Sequence, residues 1–275
     1  MKLTTRIALT GLILLLIAGI AVSQGRRRSG RQSREDDVEE EGNPFSGADG
    51  EFRLGRVKYK TFGGAGSHGL IQPWWAIDYP FAEEHFFAAL RRITNISVAD
   101  AEDHLELTDP AIFTHPFLFL QQPGQGNWRP TDKEAANLRE YLMRGGFILI
   151  DDLHGPYDWA RLQAALYKVL PDRQVVEIPE DDPLMHIFYD LQQGTSIPGV
   201  RHLRRGQGGQ IVARMEGPSR WLGIYNDKHT LMVAINFNID MGDAWEHADD
   251  PIYPVPMTAM AYRLGTNYVI YAMTH

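Results

Sequence analysis

The stretch TDKEAANLREYLMRGGFILIDDLHG, residues 131–155, decides the fold. Thr131 and Glu134 form a capping box, and Ala135, Leu138, Tyr141 and Leu142 make one apolar stripe at helical spacing. Gly145 stands where a helix ends in a left-handed residue. The apolar strand Phe147 to Ile150 follows at once and runs into Asp151 and Asp152. A second helix opens at Tyr157, carries Trp159, Leu162, Leu166 and Val169, and stops at Pro171. Helix, strand and helix joined this tightly are the unit of a sheet covered by helices.

The same alternation extends outward from this unit. Toward the N-terminus, Phe52 to Lys60 alternates as a strand, and Glu83 to Arg92 carries Phe86, Phe87 and Leu90 at helical spacing. Ala111 to Gln121 is a strand buried on both sides that Pro116 delays to its second half. Toward the C-terminus, Gln174 to Ile178 is a strand and Leu184 to Leu191 a short helix. Gln210 to Met215, Trp221 to Tyr225 and His229 to Phe237 are strands separated by short polar turns, an antiparallel pattern. The last helix, Met257 to Met273, aligns Met260, Leu264, Tyr268 and Tyr271, with Gly265 at a close backbone approach. The fold class is therefore α/β: a mostly parallel sheet with helices on both faces and antiparallel strands in the second half.

Composition limits what such a domain can do. With 275 residues, 44% of them apolar, the chain can build one sizeable core. A formal charge of −8 argues against nucleic-acid binding, and the only dense basic run, Arg26, Arg27, Arg28, Arg31 and Arg34, precedes the domain. There is no cysteine, which excludes disulfides, thiolate nucleophiles and cysteine-ligated metals and suits an oxidising compartment.

Lys2 and Arg6 precede an apolar run from Ile7 to Val22, and Ala21-Val22-Ser23 has the small residues of a cleavage site before Gln24. The run is shorter than the ~20 residues that span a bilayer, which favours cleavage. The arginines after it favour retention on the cytoplasmic side instead. Residues 1–23 are thus a signal peptide or N-terminal membrane anchor, 24–51 a disordered charged tether, and 52–275 a single domain. The expected location is outside the cytoplasm, periplasmic or tethered to the outer face of the inner membrane. Membrane contact is expected only through the N-terminal segment.

Gly145 to Asp152, Ile178-Pro179-Glu180-Asp181-Asp182-Pro183-Leu184, Asn238 to Glu246 and Arg263-Leu264-Gly265-Thr266-Asn267-Tyr268 together resemble the bacterial domain-of-unknown-function family 4159. The resemblance runs from about residue 53 to 273. It implies a flavodoxin-like three-layer sandwich similar to the class I glutamine amidotransferase group. It implies no reaction, and the cysteine that enzymes of that group use is missing here.

Two acidic clusters are candidate sites. Asp151, Asp152 and His154 follow a buried strand and precede a helix, where open α/β sheets bind ligands. They read as hard-cation ligands or an acid/base pair, or else as a helix cap at Asp152 and a turn acceptor at Asp151. Asn236, Asn238, Asp240 and Asp243, with Glu246 and His247 beyond, end the next long strand. Gly242 falls one place late for a calcium loop, so these read either as a turn or, with Trp245 alongside, as the lining of a small-molecule pocket.

His115 and His186 lack zinc spacing and read as core residues. The loop Gly63 to Gly69 around Ser67 lacks P-loop and hydrolase-elbow patterns, and Trp74, Trp75, Tyr79 and Phe81 line a cleft or plug the core edge.

Two functions fit. One is a non-catalytic binding or scaffold domain for an unknown protein or small-molecule ligand. The other is a metal- or carboxylate-dependent hydrolase, which requires the two clusters to meet. No cofactor is assigned, though the acids admit a divalent metal.

Overall fold

The computed structural model describes residues 52–67, 70–192, 196–214 and 217–275. The expected signal or anchor (1–23) and tether (24–51) lie outside the described residues. Among the described residues, no helix is long and apolar enough to cross a membrane.

In chain order the strands are β1 Leu54–Lys58, β2 Gly64–Ser67, β3 Leu70–Pro73, β4 Asp103–Glu106, β5 Phe117–Gln121, β6 Phe147–Leu153, β7 Val176–Glu177, β8 Leu203–Arg205, β9 Ile211–Ala213, β10 Arg220–Tyr225 and β11 Leu231–Phe237. The helices are α1 Phe81–Ile93, α2 Asp132–Met143, α3 Gly155–Val169, α4 Pro183–His186, α5 Met241–Glu246 and α6 Val255–Thr274. The main sheet runs β4-β1-β5-β6-β11-β10-β7. Its first five strands are parallel; β10 runs antiparallel to β11, and β7 pairs antiparallel with β10 at the edge. Two hairpins, β2–β3 and β8–β9, stand apart from it.

Side-chain alternation builds three layers. Phe117, Phe119, Phe147 and Leu149 point into one core with α1, α5 and α6. Their neighbours Leu118, Leu120, Ile148 and Ile150, equally buried, must face the other way, toward α2 and α3. Helix α2 begins at the Thr131–Glu134 capping box, and Gly145, at φ +98°, supplies the left-handed residue past its end. A Cβ on Gly265 would lie 2.7 Å from the Trp245 ring and 2.8 Å from Phe86, the close approach expected of that glycine.

Several boundaries differ from expectation, each for a reason outside local hydrophobicity. Strand β6 continues three residues past its apolar run, because Asp151 pairs with Gln121 and Leu153 with Phe237. Asp151 and Asp152 therefore lie inside a strand, not after it. The helix expected over Leu184 to Leu191 ends at His186. Asn267 Nδ2 takes the carbonyls of Leu184 and Tyr189 at 2.7 and 2.9 Å and holds the remainder as a loop. The strand expected over Gln174 to Ile178 keeps only the two residues that pair with β10. The polar run after β11, read as a turn or loop, forms α5 because Asp240 caps it, accepting the Asp243 N–H at 2.8 Å. Gly64–Ser67 is a hairpin strand rather than loop, while His68, Gly69 and Met215 fall outside the described residues.

Candidate functional site

Three adjacent parallel strands deliver polar residues to one edge. β5 ends in Gln121 and leads into Gln122, β6 carries Asp151 and Asp152 and leads into His154, and β11 leads through Asn238 to Asp240. The place where strand order reverses is the gap between β1 and β5. Tyr59, just past β1, reaches across it and donates to the carbonyls of Gln121 and Gln122 at 2.8 Å each. The carboxyl edge is where such sheets bind ligands.

The two aspartates of β6 separate into different roles. Asp151 is fully engaged in holding α5 to the sheet: it accepts from Asn236 Nδ2 at 2.7 Å, Met241 N at 2.8 Å and Gly242 N at 3.1 Å. Burial raises its carboxyl to about 7, against the pull of those donors. It accepts backbone N–H bonds as the turn reading required, but from a helix ninety residues along the chain rather than locally. Asp152 caps nothing, since α3 begins at His154 without a side-chain cap.

Instead Asp152 joins the second cluster. Its Oδ1 lies 2.8 Å from His154 Nε2, off the hydrogen-bond axis, and its Oδ2 accepts from Gln122 Nε2. One ligand atom each from Asp152, His154 and Asp240 all fall within 4.8 Å of one another. Asp240 also belongs to an equally tight group with Asp78 and Asp243, and Asp243 to one with Glu246 and His247. The acidic segments thus meet, through Asp152 rather than Asp151.

Electrostatics show how crowded this edge is. Asp78, Asp152 and Asp240 are at most 2% exposed. Burial, then the charges of Asp152, Asp243 and Asp78, push Asp240 well above the usual carboxylate range. Burial and the charges of Asp243, Glu246 and Asp152 do the same to Asp78. Asp152 is also opposed by burial, yet its carboxyl is lowered because His154, Arg201 and Gln122 stabilise the anion. Among the described residues, four of the six non-glycine residues at positive φ stand here: Asp78, Gln122, Asp152 and Asn238. Backbone strain of this kind collects at functional sites.

The glutamines add a further sign. Gln121 Nε2 donates to Asp78 Oδ2 at 2.7 Å, and Gln122 Nε2 to Asp152. Asp152 is held low and, once ionised, only accepts, so the Gln122 amide is fixed with its nitrogen toward that acid. Both Oε1 atoms are buried without a donor among the described residues. The Asp152 anion and two buried acceptor oxygens without donors at this edge favour a positively charged occupant.

Other candidates resolve differently. Asn238 organises backbone, accepting from Gly155 N at 3.0 Å and donating to the Pro218 carbonyl at 3.1 Å. Trp245 is 1% exposed. It is core, stacked on Phe86 at 4.1 Å, because its helix face turns toward α1 and α6. Glu246 sits 3.4 Å from His247 at the far end of the cluster. His115 is a buried partner of Asp103 at 2.7 Å, and His186 an exposed one of Asp190 at 2.9 Å. Trp75 is buried at the core edge, where its carbonyl accepts from Arg56.

Asp78, Gln121, Gln122, Arg201 and His202 escaped sequence reading. The glutamines had a signal: a polar pair ending a buried strand, as Asp151 and Asp152 do. The other three had none, because loops bring them in from distant segments.

The protein-family model described as "Domain of unknown function (DUF4159)" matches residues 53–273. No curated protein matches the chain.

Proposed function

The chain belongs to this family of unknown function, and because the family supplies no reaction to transfer, we propose from the geometry that the domain binds a divalent cation at the carboxyl edge of its sheet. The observation that carries the reading is the convergence of Asp152, His154 and Asp240 within 4.8 Å. Asp78 and Asp243 extend the ligand set from the far side of Asp240. A cation offsets the burial and the repulsion among neighbouring acids that push Asp78 and Asp240 upward. An imidazole among carboxylates suits Mn²⁺ or Zn²⁺ better than Ca²⁺ or Mg²⁺, which prefer oxygen throughout. In this reading the domain is a binding module whose ligand contacts run through the ion.

Calorimetric titration with Mn²⁺, Zn²⁺, Mg²⁺ and Ca²⁺ tests it. Binding of Mn²⁺ or Zn²⁺ that disappears in Asp152→Asn is expected, and no heat with any of the four would end the proposal. Metal-assisted hydrolysis is the second reading. It is favoured by Asp240 belonging to two ligand groups, as a carboxylate bridging two ions does. Two Mn²⁺ per chain would support it, and one would remove its basis.

We further propose that the domain works outside the cytoplasm. The apolar run Ile7 to Val22 and the small residues before Gln24 support this. N-terminal sequencing of the mature protein should begin near Gln24. Recovery of the mature chain in the soluble cytoplasmic fraction would refute it.

A further inference from the structure

The segment 199–214 lies on the acidic cluster and has the opposite charge. It contains Arg201, His202, Arg204, Arg205 and Arg214 and no acid, in a chain of net charge −8. A Cβ on Gly199 would collide with Asp240 Oδ2 and come within 2.9 Å of Asp243 Oδ2, so the backbone rests directly on both carboxylates. Val200 N donates to Asp243 Oδ2 at 2.8 Å, and Asp240 N donates to the Ile197 carbonyl at 2.8 Å. The His202 ring lies 4.4 Å from that of His154, and its Nδ1 is buried without a partner.

From that anchor the chain passes into the β8–β9 hairpin. Arg201 is exposed, yet close enough for its charge to act on Asp152, Asp240, Asp243 and Asp78. Arg204 and Arg205 are exposed and bond only to backbone carbonyls, those of Arg201, Leu203 and Gly209. Among the described residues, none of these three arginines forms an ion pair with an acid. Guanidinium forks held beside a cation site make a two-sided receptor: the ion takes one oxygen of a tetrahedral oxyanion while the forks take others.

We propose that the ligand recognised at this edge is a phosphate group on a small soluble molecule, bridged between the cation and Arg201, with Arg204 on the rim. The inference rests on the cation reading above. A phosphate dianion has the oxygens and charge to meet both a divalent ion and several guanidiniums, whereas a single carboxylate has neither enough oxygens nor enough charge.

The test is a calorimetric titration of the full-length protein with inorganic phosphate, with and without prior loading by Mn²⁺, after Mn²⁺ affinity has been measured alone. Phosphate should bind at least about tenfold more tightly to the loaded protein, the worth of one charge-assisted contact. Arg201→Gln should weaken phosphate by about tenfold while leaving Mn²⁺ affinity within roughly threefold, and Arg201→Lys should recover part of the loss. Because Arg201 is exposed, these variants should melt as the parent does. Arg204→Gln, which should also weaken phosphate binding, gives an independent reading should Arg201 variants misfold. Mn²⁺ binding with phosphate unaffected by the ion or by all arginine variants would overturn the inference and leave the cation reading standing. Absence of Mn²⁺ binding would overturn both.

Discussion

Replacing Asp151 by Asn separates the structural aspartate from the ligand aspartate beside it. The new Oδ1 can still accept from Met241 N and Gly242 N, now at 2.8 and 3.1 Å from the carboxylate. The new Nδ2 then meets Asn236 Nδ2, donor against donor, where the wild-type distance is 2.7 Å. Asn236 is held in that orientation by Tyr268, whose hydroxyl donates to its Oδ1 at 2.8 Å. Rotating Asn236 merely moves the unpaired donor onto the Tyr268 hydroxyl. Either way one buried donor lacks an acceptor, which costs about 1–3 kcal/mol. Loss of charge adds little near neutrality, because burial already raises this carboxyl to about 7. At roughly 2–4 °C per kcal/mol for a domain of this size, Tm should fall by about 2–12 °C. Mn²⁺ affinity should stay within about threefold, since the replaced group is no ligand. Asp152→Asn should show the reverse, losing at least about a hundredfold in Mn²⁺ affinity, more than second-shell changes cost. Thermal melts in chelator and Mn²⁺ calorimetry on both variants decide the matter. If Asp151→Asn abolished Mn²⁺ binding and Asp152→Asn did not, the assignment of roles would be wrong.

Other predictions are simpler. Gly199→Ala should abolish Mn²⁺ binding while the protein remains folded by circular dichroism, because the added methyl displaces Asp240 and Asp243. Gly265→Ala should cost about 1–3 kcal/mol by chemical denaturation and leave Mn²⁺ affinity unchanged, since it pries apart only the Phe86–Trp245 stack. Stability of the metal-free protein should fall as pH rises from about 6.5 toward 7.5. Asp151 (near 7) and the raised Asp78 and Asp240 hold protons in the folded state that the unfolded chain has already released. His202, lowered to about 4 by burial and by the charges of His154 and Arg201, opposes this trend only below about 6.5. Melts across that range should show the slope without metal and a shallower one with saturating Mn²⁺, because Asp151 is no ligand and keeps its share.

The fold was legible because its core strands are local apolar runs and its main helices carry local signals. The capping box at Thr131, the stop at Gly145 and the stripe through Leu264 and Tyr268 each stand within a few residues of what they control. Boundaries set by distant partners were not legible: β6 extends because β5 pairs with Asp151 and β11 with Leu153, and α4 stops because Asn267 takes the carbonyls of Leu184 and of Tyr189 beyond it. The site divides the same way. Asp151, Asp152, His154, Asp240 and Asp243 were visible as polar residues ending strands, and their meeting at one edge follows from β6 lying beside β11. Which aspartate faces the cluster depends on the positive φ of Asp152, and no neighbouring residue announces that turn. Asp78 and Arg201 reach the cluster from loops, so only the packed chain brings them in.

The most direct test of the cation site is anomalous diffraction from crystals of the protein grown or soaked with Mn²⁺. The account predicts a peak about 2.0–2.3 Å from a carboxylate oxygen of Asp152, a ring nitrogen of His154 and a carboxylate oxygen of Asp240. A peak confined to Asp243, Glu246 and His247, or no peak at this edge of the sheet, would contradict it.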